Sequence, residues 1–183
     1  MKNNWFNKRR AAALQLGCAA AVALISTVGI AAAQNSEREP HLRAKLVSFN
    51  QVPSVLATGH GRFEAEIEEN STIRYRLSYE DMSSPVVQAH IHFGASKTNG
   101  GVMVFLCGGS KPACPASGTV TGTITAADVS VLPVTNGDSV IPQGINPGDL
   151  AGMIDAIRSG NTYVNVHTAT FPTGEIRGQV EVE

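Results

Sequence analysis

The stretch Thr72-Ile73-Arg74-Tyr75-Arg76-Leu77-Ser78-Tyr79 alternates polar and apolar residues without a break. Successive side chains of a β-strand point to opposite faces, so Ile73, Tyr75, Leu77 and Tyr79 share one face and Arg74, Arg76 and Ser78 the other. A helical period would scatter them, so this is a strand with one buried face. The period recurs on both sides. Upstream, Phe63, Ala65 and Ile67 alternate with Arg62, Glu64 and Glu66, and Leu42, Ala44 and Leu46 alternate with His41, Arg43 and Lys45. Asn70-Ser71 between the neighbouring runs predicts a hairpin turn. Downstream, Ala89, Ile91 and Phe93 alternate with His90 and His92, and Val120, Gly122 and Ile124 continue the pattern. Further runs lie at 163–168 and 175–182. Val102 to Leu106 is apolar at every position, as expected of a strand covered on both faces. About eight strands with short connections predict an all-β domain, a Greek-key, immunoglobulin-like sandwich or barrel.

One helix interrupts the strands. Leu150, Met153, Ile154 and Ile157 follow at i, i+3, i+4 and i+7, a single apolar stripe. Asn146 is placed to cap it, Pro147 suits the first helical position and Asp149 the first turn. Gly160 is placed to end it. These signals predict a short helix near residues 147–159, and the preceding 126–145 stretch reads as a loop.

The N-terminal segment is of another kind. Lys2, Lys8, Arg9 and Arg10 precede an apolar run that ends at Ala31-Ala32-Ala33 and turns polar at Gln34. A charged start, an apolar middle and a small-residue exit mark a secretory signal peptide over residues 1–33. An uncleaved anchor is the alternative, since the run is nearly long enough to span a bilayer. Cys18 sits in a poor lipobox, and the residues after Arg9-Arg10 fit twin-arginine export poorly. The expected organisation is a signal peptide at 1–33, a flexible leader at 34–40 and one domain at 41–183, delivered to the periplasm or secreted. The net charge of −1 and the absence of a basic block after the leader argue against nucleic acid as a partner. No second apolar run suggests a membrane partner once the leader is removed. Cys107 and Cys114, the two cysteines beyond the leader, read as a disulfide in an exported chain. Closing so short a loop stabilises the fold by about 2.5 kcal/mol. The alternative, a thiol pair on a metal, lacks zinc-knuckle spacing.

The chain has five histidines, His41, His60, His90, His92 and His167. His90 and His92 form an H-x-H pair, and residues two apart on a strand share a face about 6.5–7 Å apart. Ala89 and Ile91 take the core face, so both histidines take the outer one. By the same parity Asn165 and His167 face outward from Val164 and Val166, and His60 faces away from Phe63. Two readings follow. These are solvated surface histidines, or His90, His92 and His167, joined by His60, converge on a metal if their strands adjoin. Imidazole-only ligands suit copper or zinc, with Cu(II) favoured by affinity order. Asp81, Asn165 and Glu175 are candidates to hold the distal ring nitrogens. Glu175 and Arg177 share a face and are expected to pair. No catalytic residue stands out: there is no G-x-S-x-G elbow, and the glycine pairs at 100–101 and 108–109 open no helix.

Three segments carry a family resemblance: Ala89-His90-Ile91-His92-Phe93-Gly94, Gly160-Asn161-Thr162-Tyr163-Val164-Asn165-Val166-His167-Thr168, and Pro172-Thr173-Gly174-Glu175-Ile176-Arg177-Gly178-Gln179. They resemble the CHRD (chordin-type) domain, over about His41 to Val182. CHRD domains occur in the animal protein chordin, which binds secreted growth factors, and in exported bacterial proteins. The resemblance implies an immunoglobulin-like β-barrel with a faint likeness to copper–zinc superoxide dismutase. On that likeness His90, His92 and His167, with His60, correspond to copper ligands. The chain departs from the enzyme in having too few histidines for separate copper and zinc sets, and no loop rich in His and Asp. Three functions are therefore expected in competition. The first is an exported binding protein holding copper or zinc. The second is a metal-independent module for an extracellular or periplasmic protein or matrix partner. The third is a copper-only dismutase-like enzyme, and fold likeness alone confers no reaction.

Overall fold

The structure, a computed structural model, describes residues 41–69, 71–116, 118–130 and 139–183. The signal peptide at 1–33, the leader at 34–40, Asn70 of the expected turn and the 131–138 part of the expected loop lie outside the described residues. Among the described residues nine strands are formed: β1 (His41–Val47), β2 (His60–Glu68), β3 (Thr72–Glu80), β4 (Val86–Phe93), β5 (Gly101–Cys107), β6 (Gly118–Ile124), β7 (Thr162–Thr168), β8 (Ile176–Gln179) and β9 (Glu181–Val182). One helix, α1 (Leu150–Arg158), lies between β6 and β7. The strands form an antiparallel sheet in the order β5-β4-β7-β8-β1-β2-β3-β6, with β9 paired to β1.

The sheet curls until its two edge strands approach one another, giving a nearly closed barrel. Tyr75 on β3 donates its hydroxyl to the Leu106 carbonyl of β5 at 2.7 Å, a buried bond that links the two sides of the seam. Gly122 on β6 makes room for that ring, because a Cβ there would lie 2.6 Å from the Tyr75 hydroxyl.

The alternating residues do what their period requires. Leu42, Ala44, Leu46, Phe63, Ile67, Ile73 and Leu77 fill the barrel, while Arg43, Lys45, Arg74 and Arg76 stay exposed. The expected terminal strand at 175–182 is split at Val180, whose N–H still donates to the Thr162 carbonyl of β7 at 2.9 Å, before β9 pairs with β1. Cys107 and Cys114 are joined, closing the turn after β5. Gly108 and Gly109 in that turn adopt left-handed φ values of 70° and 57°.

The helix is shorter than its sequence signals predict. Gly148 has φ 83°, outside the helical region, so the helix cannot run through it. Asp149 is therefore the cap in place of Asn146, and its side chain accepts from the Gly152 N–H at 2.9 Å. The apolar stripe packs into the core as its spacing demands, with Leu150, Met153, Ile154 and Ile157 all buried. Asp149→Ala should lower unfolding free energy by about 1 kcal/mol, while Asn146→Ala should change it by only a few tenths. Urea denaturation of both variants checks this, and equal effects would refute the observed cap.

Candidate metal centre

β4 lies between β5 and β7. Its residue His90 pairs across to Phe105 on β5 and Asn165 on β7; Ile91 pairs with Val104 and Val164; His92 faces Tyr163. His167 sits two residues beyond Asn165, on the diagonal from His90, within reach of a ring. The pairing with β5 slips between Ala89 and His90 and again between Ile91 and His92. Such irregularities redirect side chains, and these two flank the one core residue of the H-x-H motif.

The three histidines meet. One ring nitrogen from each of His90, His92 and His167 lies within 4.8 Å of the others. Ring centroids are 4.8 Å apart for His90–His167, 5.4 Å for His90–His92 and 6.5 Å for His92–His167.

Parity places them correctly, on the face opposite Ile91, but that face is not the solvated exterior expected from the sequence. His90, His92 and His167 are only 3%, 5% and 7% exposed. The connections between strands roof the face. Arg177 on β8 donates to the carbonyls of Ala95 (3.2 Å) and Thr98 (2.7 Å), holding down the β4–β5 loop. Asn99 of that loop donates to the Val52 carbonyl at 3.3 Å, tying in the segment after β1. Gln51 in that segment donates to the Asn165 side chain at 2.6 Å. Gly174 completes the cover, because a Cβ there would stand 2.6 Å from Asn165 Oδ1.

Two of the rings are held in one tautomer. His92 Nδ1 donates to the Gly100 carbonyl, and His167 Nδ1 to the Pro172 carbonyl, each at 2.9 Å. A neutral imidazole that donates from Nδ1 presents its lone pair at Nε2. The carbonyl at 100 reaches His92 only because residue 100 is glycine: a Cβ would stand 1.7 Å from the Phe93 carbonyl oxygen. His90 differs, with neither ring nitrogen hydrogen-bonded, and His92 Nε2 is likewise unpartnered. Phe105 packs edge-on against His90 at 4.4 Å between centroids. Tyr163 stacks on His92 at 4.6 Å, and the Arg177 guanidinium lies 3.5 Å from the centre of the same tyrosine ring. Burial, with His167 and His92 beside it, pushes His90 down to about 2. Burial pushes His92 down to about 3; the Gly100 hydrogen bond opposes the fall, and His167 and Arg177 add to it. His90 and His92 are thus neutral imidazoles, each with a ring nitrogen close to one of His167.

Other expected residues lie elsewhere. His60 is not part of the cluster. It is on β2, separated from β7 by β8 and β1, and it is exposed beside Glu80 (3.2 Å) and Asp81 (3.9 Å). None of Asp81, Asn165 and Glu175 holds a distal ring nitrogen of the triad; backbone carbonyls hold two of them. Glu175 and Arg177 do not pair. Both carboxylate oxygens of Glu175 accept from Ser83, at 2.9 Å from its N–H and 2.6 Å from its hydroxyl, and Thr168 donates to one of them at 2.6 Å. Arg177 serves the β4–β5 loop instead. Tyr163 shares the parity of Asn165 and His167, so its place beside the cluster was readable from the sequence. Phe105 was not, because a run apolar at every position shows no parity.

Acid should expose the burial of these rings. An unfolded chain binds protons at histidine near its ordinary value of about 6.5, whereas the folded one does so at His90 and His92 only near 2 and 3. The unfolded state therefore binds more protons throughout that window, and metal-free stability should fall as pH drops from 6.5 towards 3. The slope is up to about 1.4 kcal/mol per pH unit for each ring. Urea midpoints at pH 7, 6 and 5, compared with those of His90→Leu, measure it. A wild-type midpoint constant between pH 6.5 and 5 would be incompatible with neutral buried imidazoles.

The comparisons with known proteins give one family. The CHRD domain model matches residues 42–180, which takes in every strand named above except the last and all three clustered histidines. No curated protein and no solved structure matches the chain significantly. On the extent of that match, this protein is a member of the CHRD domain family.

Proposed function

We propose that this CHRD-domain protein is exported and binds one copper or zinc ion through His90, His92 and His167. The observation that supports it is a buried, neutral imidazole, His90, with no hydrogen bond at either nitrogen, pressed against two further histidines. Leaving a buried polar group unsatisfied costs about 1–3 kcal/mol, and native structures keep few such groups. A packing role alone gives no reason to gather three histidines around such a ring. An ion bonded at about 2.0–2.1 Å would take one nitrogen from each ring, and it needs those nitrogens about 3.3–3.5 Å apart. Modest rotations of the rings bring them there from within 4.8 Å. Nε2 of His92 and of His167 would be the donors, since each Nδ1 is committed to a carbonyl. Those carbonyls supply the outer contacts that fix ligand orientation. Nitrogen-only ligands suit copper and zinc, with copper first in affinity order.

A metal-independent interaction role has one observation in its favour: Phe49 and Leu56, between β1 and β2, are large, apolar and exposed. A partner bound there would be retained in the presence of a chelator.

Chelator-stripped protein titrated with Cu(II) or Zn(II) should take up one ion per chain. His90→Ala/His92→Ala should weaken that binding by more than about 100-fold, beyond the effect of losing an outer-sphere contact. His60→Ala should leave it unchanged. Calorimetry with elemental analysis reads both. Full binding in the double variant would end the proposal.

A further inference from the structure

Resting on the metal-site reading above, we infer that the ion this centre selects is monovalent copper, held three-coordinate by the histidines of β4 and β7. The argument is one of charge and of space. Among the described residues, no aspartate, glutamate or cysteine joins the three histidines. The buried Glu175 is committed to Ser83 and Thr168. Every ligand is thus neutral, and the ion's whole charge must be carried in a buried site. The self-energy of an ion moved out of water grows with the square of its charge, so a divalent ion loses about four times as much as a monovalent one. The charge stacked behind His92 has the wrong sign for a cation. Arg177 lies over Tyr163, which stacks on His92, and its guanidinium is anchored by the carbonyls at 95 and 98.

Coordination number points the same way. Cu(II) prefers a tetragonal set of four or more ligands, whereas the filled d shell of Cu(I) accepts three in a plane. Aromatic rings enclose two of the ligands, Phe105 edge-on to His90 and Tyr163 stacked on the face of His92. An apolar, water-poor shell of this kind is a recognised means of raising a metal's reduction potential.

Anaerobic competition between the purified protein and a chromogenic Cu(I) chelator, beside Cu(II) and Zn(II) titrations on the same preparation, tests this. Cu(I) should bind one per chain and at least about 100-fold more tightly than Cu(II), which raises the bound couple by about 120 mV at 59 mV per tenfold. Arg177→Gln should narrow that gap by about tenfold, and Arg177→Lys, which keeps the charge while disturbing the same carbonyl contacts, should preserve most of it. Equal or tighter binding of Cu(II) or Zn(II) would overturn the inference and leave the metal site standing, as would a gap unmoved in Arg177→Gln. Binding of none of the three ions would overturn both.

Discussion

The rest of the site depends on β4 being dry on both faces. A strand of a curled sheet must bury its inner residues, here Ala89 and Ile91, in the barrel. Its other residues ordinarily meet water, and a histidine there carries no cost. In this fold the outer face is covered as well, so His90 and His92 are removed from water without becoming part of the apolar core. Burial then sets the chemistry of the site. It keeps the rings neutral, which is the form that coordinates metals, and it raises the cost of leaving their nitrogens unsatisfied.

The cover is built from connections, not from a second sheet. The segment after β1, the β4–β5 loop and the turn before β8 each contribute one polar anchor: Gln51 to Asn165, Arg177 to the carbonyls of 95 and 98, and Pro172 to His167. Loops carry backbone groups that must find partners, and two of those groups are spent on the imidazoles themselves. Gly100 and Gly174 allow the close approach, since a Cβ at either would overlap neighbouring atoms. Because main-chain carbonyls hold these two rings, the tautomers of His92 and His167 are a property of the loop paths.

Membership of the CHRD family does not by itself carry a reaction. The local combination in this chain is three clustered histidines, an arginine anchored behind one of them, and aromatic rings against two. A molecule approaching the histidines would meet residues that are almost wholly covered.

The period-2 alternation of Thr72 to Tyr79 and its repeats determined the strands, their inward residues and the all-β class, because pleating ties side-chain direction to residue parity. Parity also determined that His90, His92 and His167 point away from the barrel interior. The sequence could not say which strands adjoin, since pairing between β4 and β7 spans a long chain separation and is selected by the whole sheet. Nor could it say that His60 is two strands removed, that Asp149 caps the helix, or that Arg177 turns from Glu175 to a loop. Above all, whether an outward face is wet depends on the path of distant loops. Only the tertiary structure decides that path, and with it whether three histidines are a solvated surface or a covered cluster.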